Sequence, residues 1–387
     1  NWYDMQVKPV QYGLGERGPR SPVTGELVCG DATLPEKQLH ANRCDFGDDI
    51  LAHPLDDAYH KVRSAVWDKI TVPFLSAANW GGQGLHPRGN FEGYMRAASS
   101  QKWLEAHGIE HWTHFYTDYG VNLQKRFFNH FLKGEDNGWS KQPRVQLQVR
   151  HIDRFVERQE NEWPIARTQW TRFYLDATGN DLAREPVKAS GYVSYDALGD
   201  GATFMSAPLE AEIEITGPLS AKLFISSSTT DADLFLIFRV FTPDMREVVF
   251  QGAIDPHTPI AQGWLRASHR KLDPALSREY RPYHTHDEIQ PLKPGEVTRV
   301  EVELWPASIV VPAGHRIGLS VRGRDYEWGK ATGARLSNFK NELRGCGPFL
   351  HNDPRDRPAA VFGGRNALHM GPEHPSYVLV PIVPARG

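Results

Sequence analysis

Two periodicities divide the chain. Between residues 71 and 140 the apolar positions form short runs and helix-spaced stripes. Val72-Pro73-Phe74-Leu75-Ser76-Ala77-Ala78 is one such run, ending at Asn79-Trp80-Gly81-Gly82. It suits a buried parallel strand, although its period alone also admits a helix segment. Residues 91–98 predict a helix with Phe91, Tyr94, Met95 and Ala98 on one face, and 102–106 a second strand. The clearest helix spans 119–133, where Leu123, Phe127 and Phe131, and likewise Phe128 and Leu132, recur every fourth residue. Asp118 is its expected N-cap and Gly134 its stop. Strand, helix, strand, helix at this spacing predicts α/β layering around a parallel sheet.

The polar segment 135–143 is the predicted domain boundary. Beyond it Val145, Leu147 and Val149 alternate with polar residues, as do Leu209, Ala211, Ile213 and Ile215 before a turn expected at Gly217-Pro218. Val300, Val302 and Leu304 repeat the pattern, and 234–240 and 377–383 are apolar enough for central strands. Many short strands with Gly/Pro turns predict a jelly-roll β-sandwich. Residues 1–65 are rich in Gly and Pro, with short helices expected near 34–42 and 55–62, and read as a lid or insertion that needs a body. The chain therefore divides into 1–65, 66–143 and 144–387.

Composition narrows the function. Lys and Arg total 44 against 47 Asp and Glu, a formal charge of −3, which argues against a nucleic-acid partner. No apolar run is long enough to predict a membrane-spanning helix. The opening residues carry neither a basic n-region nor an apolar h-region, so no signal peptide is expected, and the cytoplasm is favoured. The first Met is Met5, which suggests a processed or truncated product. Cys29, Cys44 and Cys346 are odd in number and include no CxxC pair; ordinary thiols in a reducing compartment are expected.

Reactive side chains concentrate in Ala106-His107-Gly108-Ile109-Glu110-His111-Trp112-Thr113-His114. This stretch follows the second strand, and ligand groups of α/β sheets sit on loops beyond strand carboxyl ends. A histidine there can serve as general base; the same histidines also suit capping, stacking on Trp112, or solvent. His111-x-x-His114 is half of a zinc ligand set, but no HExxH helix or fitting third ligand accompanies it, so a metal hydrolase using His107, His111 and His114 is the weakest reading and no metal is expected. The glycine-rich loop 79–90 lacks the phosphate-loop and dinucleotide spacings, and no cofactor is expected. In the β half, Asp231, Asp233, Arg266, Ser268, His269, Arg270, His284 and His286 read as charges that fix loops and an interface.

The sequence resembles bacterial hydrolases of the cocaine-esterase and Xaa-Pro dipeptidyl-peptidase superfamily. The resemblance is carried by Asn-Trp-Gly-Gly-Gln-Gly-Leu-His at 79–86, His-Trp-Thr-His-Phe-Tyr at 111–116 and Phe-Leu-Lys-Gly-Glu at 131–135. Further matches are Thr-Asp-Ala-Asp-Leu-Phe at 230–235, Leu-Arg-Ala-Ser-His-Arg at 265–270, Arg-Pro-Tyr-His at 281–284, Trp-Pro-Ala-Ser at 305–308 and His-Asn-Asp-Pro-Arg-Asp at 351–356. It implies the end of an α/β-hydrolase body at 66–143, a remnant of a helical cap at 1–65, and a jelly roll at 144–387. It also implies a Ser-His-Asp triad that cleaves esters or amides through an acyl-enzyme.

Two departures from that family matter. No Gly-x-Ser-x-Gly elbow occurs; Gly318-Leu-Ser-Val-Arg has the wrong ending, and family order would place the elbow before Asn1. The family's aspartate follows the first strand, yet residues 79–90 hold no carboxylate. The resemblance then implies His111 as general base, with Asn79 as a possible orienter in place of the acid; Asp118 is an alternative that also suits helix capping. Trp80, His86 and Trp112 are the candidate binding residues. The expected function is hydrolysis of a small ester or peptide substrate, with the serine supplied by an N-terminal hydrolase segment or a companion chain; an oligomer is also possible. The alternative is a non-catalytic jelly roll that binds carbohydrate or another ligand. The two halves should pack through an extensive surface. Trp139 and Trp163, which flank the first β strand of the second half, should be substantially buried, and the strand at 72–78 should lack inner neighbours.

Overall fold

The computed structural model describes residues 7–109, 111–252, 257–329 and 350–385. Cys346, residues 1–6 and Glu110 lie outside them. Backbone proximity separates two units, one built mainly from the chain up to Ser64, the other from Ala65 onwards.

The first unit holds three short helices, α1 (Glu36–Ala41), α2 (Phe46–Ala52) and α3 (Ala58–Lys61). The Asp45 carboxylate accepts from the Gly47 and Asp48 amides at the start of α2, and Asp57 accepts from the Tyr59 amide at α3. Among the described residues its core comprises Leu14, Cys29 and Leu39, with Leu34 packed alongside. So small a core agrees with the sequence reading of a segment poor in apolar periodicity.

The second unit opens with β1 (Phe74–Asn79), α4 (Pro87–Arg96) and β2 (Lys102–His107). Then come α5 (His111–Tyr116), α6 (Asp118–Lys133), β3 (Val145–Arg150) and β4 (Phe155–Glu160). The strands form one sheet in the order β1-β2-β3-β4, with β1, β2 and β3 parallel and β4 antiparallel. Among the described residues β1 pairs only with β2, so its outer edge is open, as the sequence led us to expect.

One face of this sheet meets α6. Trp103, Leu123, Phe127 and Trp139 are buried there, with Leu75, Tyr119 and Phe131 packed against them. The N-cap of α6 is Thr117, whose hydroxyl accepts from the Gly120 amide; Asp118 is the first helical residue, which corrects the expected cap. The other face buries Trp80, Phe91, Tyr94, Leu104 and Trp163 in one cluster with Val310 and Val383 of the β-rich half. Trp139 is 0% and Trp163 6% exposed. Polar pairs join the same surfaces: Arg281 donates to Glu92 at 2.6 Å, and Arg88 to Glu303 at 2.9 Å.

Among the described residues the rest is built of β strands, apart from α7 (Ala359–Phe362). It comprises β5 (Gln169–Asp176), β6 (Asp181–Ala183), β7 (Gly191–Asp196), β8 (Ala202–Met205) and β9 (Ile213–Ser227). These continue into β10 (Asp233–Phe241), β11 (Ala261–Arg266), β12 (Thr298–Val311), β13 (Arg316–Arg322), β14 (Arg365–Met370) and β15 (Tyr377–Ile382). Pairing runs β11-β10-β13-β8-β6-β5-β15-β9-β14-β7, with β12 joined to β9. The core between the layers is aliphatic and aromatic, including Phe204, Leu219, Leu236, Phe238, Val302 and Leu319. At Gly263 of β11 a Cβ would lie 2.1 Å from the Glu303 carbonyl oxygen of β12, so the two backbones approach as closely as glycine allows.

Two sequence expectations change here. Val145–Arg150 does not begin the sandwich; it continues the parallel sheet, because the Gln148 side chain is also buried and accepts from the Gly108 amide. Nor does Gly217-Pro218 end a strand. β9 runs through it, and the β12 register shifts between Leu304 and Ala307, the latter opposite Gly217, so a bulge absorbs the pair. Among the described residues, no helix is long and apolar enough to cross a membrane.

Candidate active site at the end of the second strand

β1 and β2 end side by side, with Asn79 opposite His107 and Ala77 opposite Glu105 in register. Alternation along β2 puts Trp103, Glu105 and His107 on the α6 face, while Leu104 and Ala106 enter the opposite core. Glu105 is 3% and His107 4% exposed. A carboxylate in such a place requires partners, and among the described residues it has two. His107 Nδ1–H donates to Glu105 Oε2 at 2.9 Å, and the Tyr119 hydroxyl at the start of α6 donates to Oε1 at 3.2 Å. Burial, and after it the Glu105 charge, holds the Tyr119 phenol well above its ordinary range, so it remains a donor.

With Nδ1–H committed to a carboxylate, the lone pair of His107 lies on Nε2. Among the described residues that atom is buried without a hydrogen-bond partner, and so is Asn79 Oδ1 on the neighbouring strand end. The His107 and His114 rings are 4.9 Å apart. Between His107 and His111 the chain passes through Ile109 at φ 47°, a left-handed conformation costly for a β-branched residue. The Ile109 carbonyl accepts from the Gly81 amide at 2.8 Å, and a Cβ on Gly81 would lie 2.2 Å from that oxygen. The glycine loop thus lets the two strand ends close on each other.

The residues named from sequence are placed as follows. His111 stands at the carboxyl edge of the sheet, half-buried, but on the first turn of α5 rather than in a loop. Its ring meets His86 edge-on at 4.6 Å and Trp112 at 4.7 Å. Partial burial moves His86 below its ordinary pKa. Trp112 is exposed and borders solvent. Trp80 is not a surface contact: it is wholly buried, stacks on Phe91, and donates its indole N–H to the Gln148 carbonyl at 2.8 Å. Its amphipathic ring is consumed by the core. Asn79 aligns with His107 in register. Glu105 was missed by sequence reasoning, although its signal was present: an ionisable residue inside the second strand, two positions before a histidine. Among the described residues, no three or more His, Cys, Asp or Glu side chains gather closely enough to hold a metal ion.

The chain thus combines an all-β sandwich with a small, mostly parallel sheet that carries a buried carboxylate–imidazole pair on its second strand. The model of the X-Pro dipeptidyl-peptidase C-terminal non-catalytic domain matches residues 137–379, and the chain belongs to that hydrolase family. It is 30% identical over 240 residues to a Mycobacterium bovis protein named as a serine esterase, covering 52% of this chain and 35% of that one. To the cocaine esterase of a Rhodococcus species it is 24% identical over 304 residues, 68% of this chain and 46% of that protein. The structure of a CocE/NonD family hydrolase from Staphylococcus aureus superposes with a TM-score of 0.79 at 28% identity, over 90% of this chain and 62% of that one. An alpha-amino acid ester hydrolase at 14% identity and TM-score 0.58 shares the fold, over 89% of this chain and 62% of that one. The chain spans about a third to a half of the sequence relatives it matches and under two thirds of the solved structures.

Proposed function

We propose that this chain is the base-bearing portion of a serine hydrolase of ester or amide bonds. Residues 66–143 contribute the end of an α/β-hydrolase sheet, and residues 1–65 contribute part of its cap. The nucleophilic serine comes from an N-terminal hydrolase segment or a companion chain, docked along the open edge of β1; by itself this chain is inactive. The observation that carries the reading is the 2.9 Å bond from His107 Nδ1 to Glu105, with Nε2 buried and unpaired among the described residues. A carboxylate that fixes the tautomer and stabilises the imidazolium is what an acyl-transfer base requires. His107 would take the serine proton as the acyl ester forms and return it to the leaving group, and a water would be activated the same way for deacylation. His111, on the same sheet edge against His86, is the competing base, with Asn79 and Trp112 beside the reacting centre.

Single-turnover ester hydrolysis by the complete protein separates the two histidines. His107→Ala should lower the acylation rate by several orders of magnitude, while His111→Ala should lower it far less. The reverse pattern would transfer the base to His111. Full activity in both variants would reject the mechanism.

A further inference from the structure

β5 presents Trp170, Arg172 and Tyr174 on its outward face, while Phe173 and Leu175 enter the sandwich core. These three side chains, with Arg184, Glu185 and Glu279, border an open cavity of about 430 Å³. It lies in the all-β part and involves none of the histidines discussed above. The Trp170 indole is fixed from behind: Tyr280 stacks on it at 4.4 Å with the rings 11° apart. Trp170 borders the cavity while Tyr280 packs on its ring, which holds the indole in place there. Glu279 is fixed too, accepting from Arg172 Nε and from the Tyr377 hydroxyl, each at 2.9 Å. Partial burial pushes the Glu279 carboxyl up, but the hydrogen bonds from Arg172 and Tyr377 outweigh it and hold its pKa below the ordinary value.

An immobilised aromatic plate beside planar donors and acceptors is a specific chemical demand. The two arginines and two glutamates balance, so the cavity does not select a net charge. The plate favours a flat, weakly polar face, and the ion-paired fork and carboxylates favour several hydroxyls. We propose that this cavity is a saccharide-binding site, stacking a pyranose ring on Trp170 and holding its hydroxyls through Arg172, Arg184 and Glu279. The site is independent of the hydrolase reading. It would attach a sugar-bearing substrate or surface to the protein at a distance from the catalytic edge.

Isothermal titration of the complete protein with maltohexaose, cellohexaose and chitohexaose tests the assignment. Saturable one-to-one binding to at least one is expected, weakened about tenfold or more in Trp170→Ala and partly retained in Trp170→Phe. The exposed Arg184→Ala variant, whose folding is not at risk, should also weaken it. Glu105→Gln should bind sugar as the wild type does, which separates this site from the proposed catalytic one. Absence of binding to all three sugars, or binding unchanged in both Trp170→Ala and Arg184→Ala, would overturn the proposal.

Discussion

Replacing Glu105 separates a catalytic role from a structural one. In Glu105→Ala, His107 Nδ1–H and the Tyr119 hydroxyl both lose their acceptor inside the sheet–helix layer. Each buried donor left unsatisfied costs about 1–3 kcal/mol, so the variant should lose about 2–5 kcal/mol of stability. Glu105→Gln keeps an acceptor for Nδ1–H at almost the same volume and should lose about 1 kcal/mol or less. The carboxylate's charge is what Gln removes. If His107 is the base, its imidazolium then goes uncompensated in the transition state, and turnover should drop on the order of 10²–10⁴-fold while the fold persists. Urea unfolding followed by tryptophan fluorescence reads the first quantity, and initial rates on a nitrophenyl ester by the complete protein read the second. Wild-type turnover in Glu105→Gln would refute the catalytic assignment. Equal stability losses in Gln and Ala would refute the hydrogen-bond argument behind it.

Other consequences are simpler to test. Burial, with the His286 charge next, pushes His284 down to about 4, so the folded state holds it neutral. A group with a depressed folded pKa contributes stability fully above its unfolded value near 6.5 and loses it as pH falls towards 4, about 3 kcal/mol in all; urea midpoints across that window should show the slope, and His284→Asn should flatten it. Trp139→Ala empties a site packed against Trp103 and Phe127 and should cost about 3–5 kcal/mol, read by thermal unfolding. Thr117→Ala should destabilise by about 1 kcal/mol through loss of the α6 cap, against a few tenths for Asp118→Ala; the opposite order would return the cap to Asp118.

Which of these features the sequence disclosed follows from the range of the interactions involved. Helix α6 was legible because its stripe, Leu123-Phe127-Phe131, is a local pattern with a local stop at Gly134. The alternation at 145–149 was equally legible as strand, yet its sheet was not. Period two reports that alternate residues differ, and the buried Gln148 differs from Leu147 only in needing the Gly108 amide, a partner 40 positions away. Gly217-Pro218 signals a turn in any isolated peptide, and only the paired β12, with its own register shift, makes the two residues a bulge. The site follows the same logic. Position after a strand was enough to bring His111, Asn79 and His86 to one edge, because chain order fixes where strand ends lie. Choosing among histidines depended on a different quantity, the burial of Glu105, since an exposed glutamate two residues from a histidine would carry no chemical meaning. What pairs the two side chains is α6 packing over the face, with His107 and Tyr119 the donors to the carboxylate among the described residues. The environment of Glu105 is therefore set in part by a contact 14 residues downstream, at Tyr119.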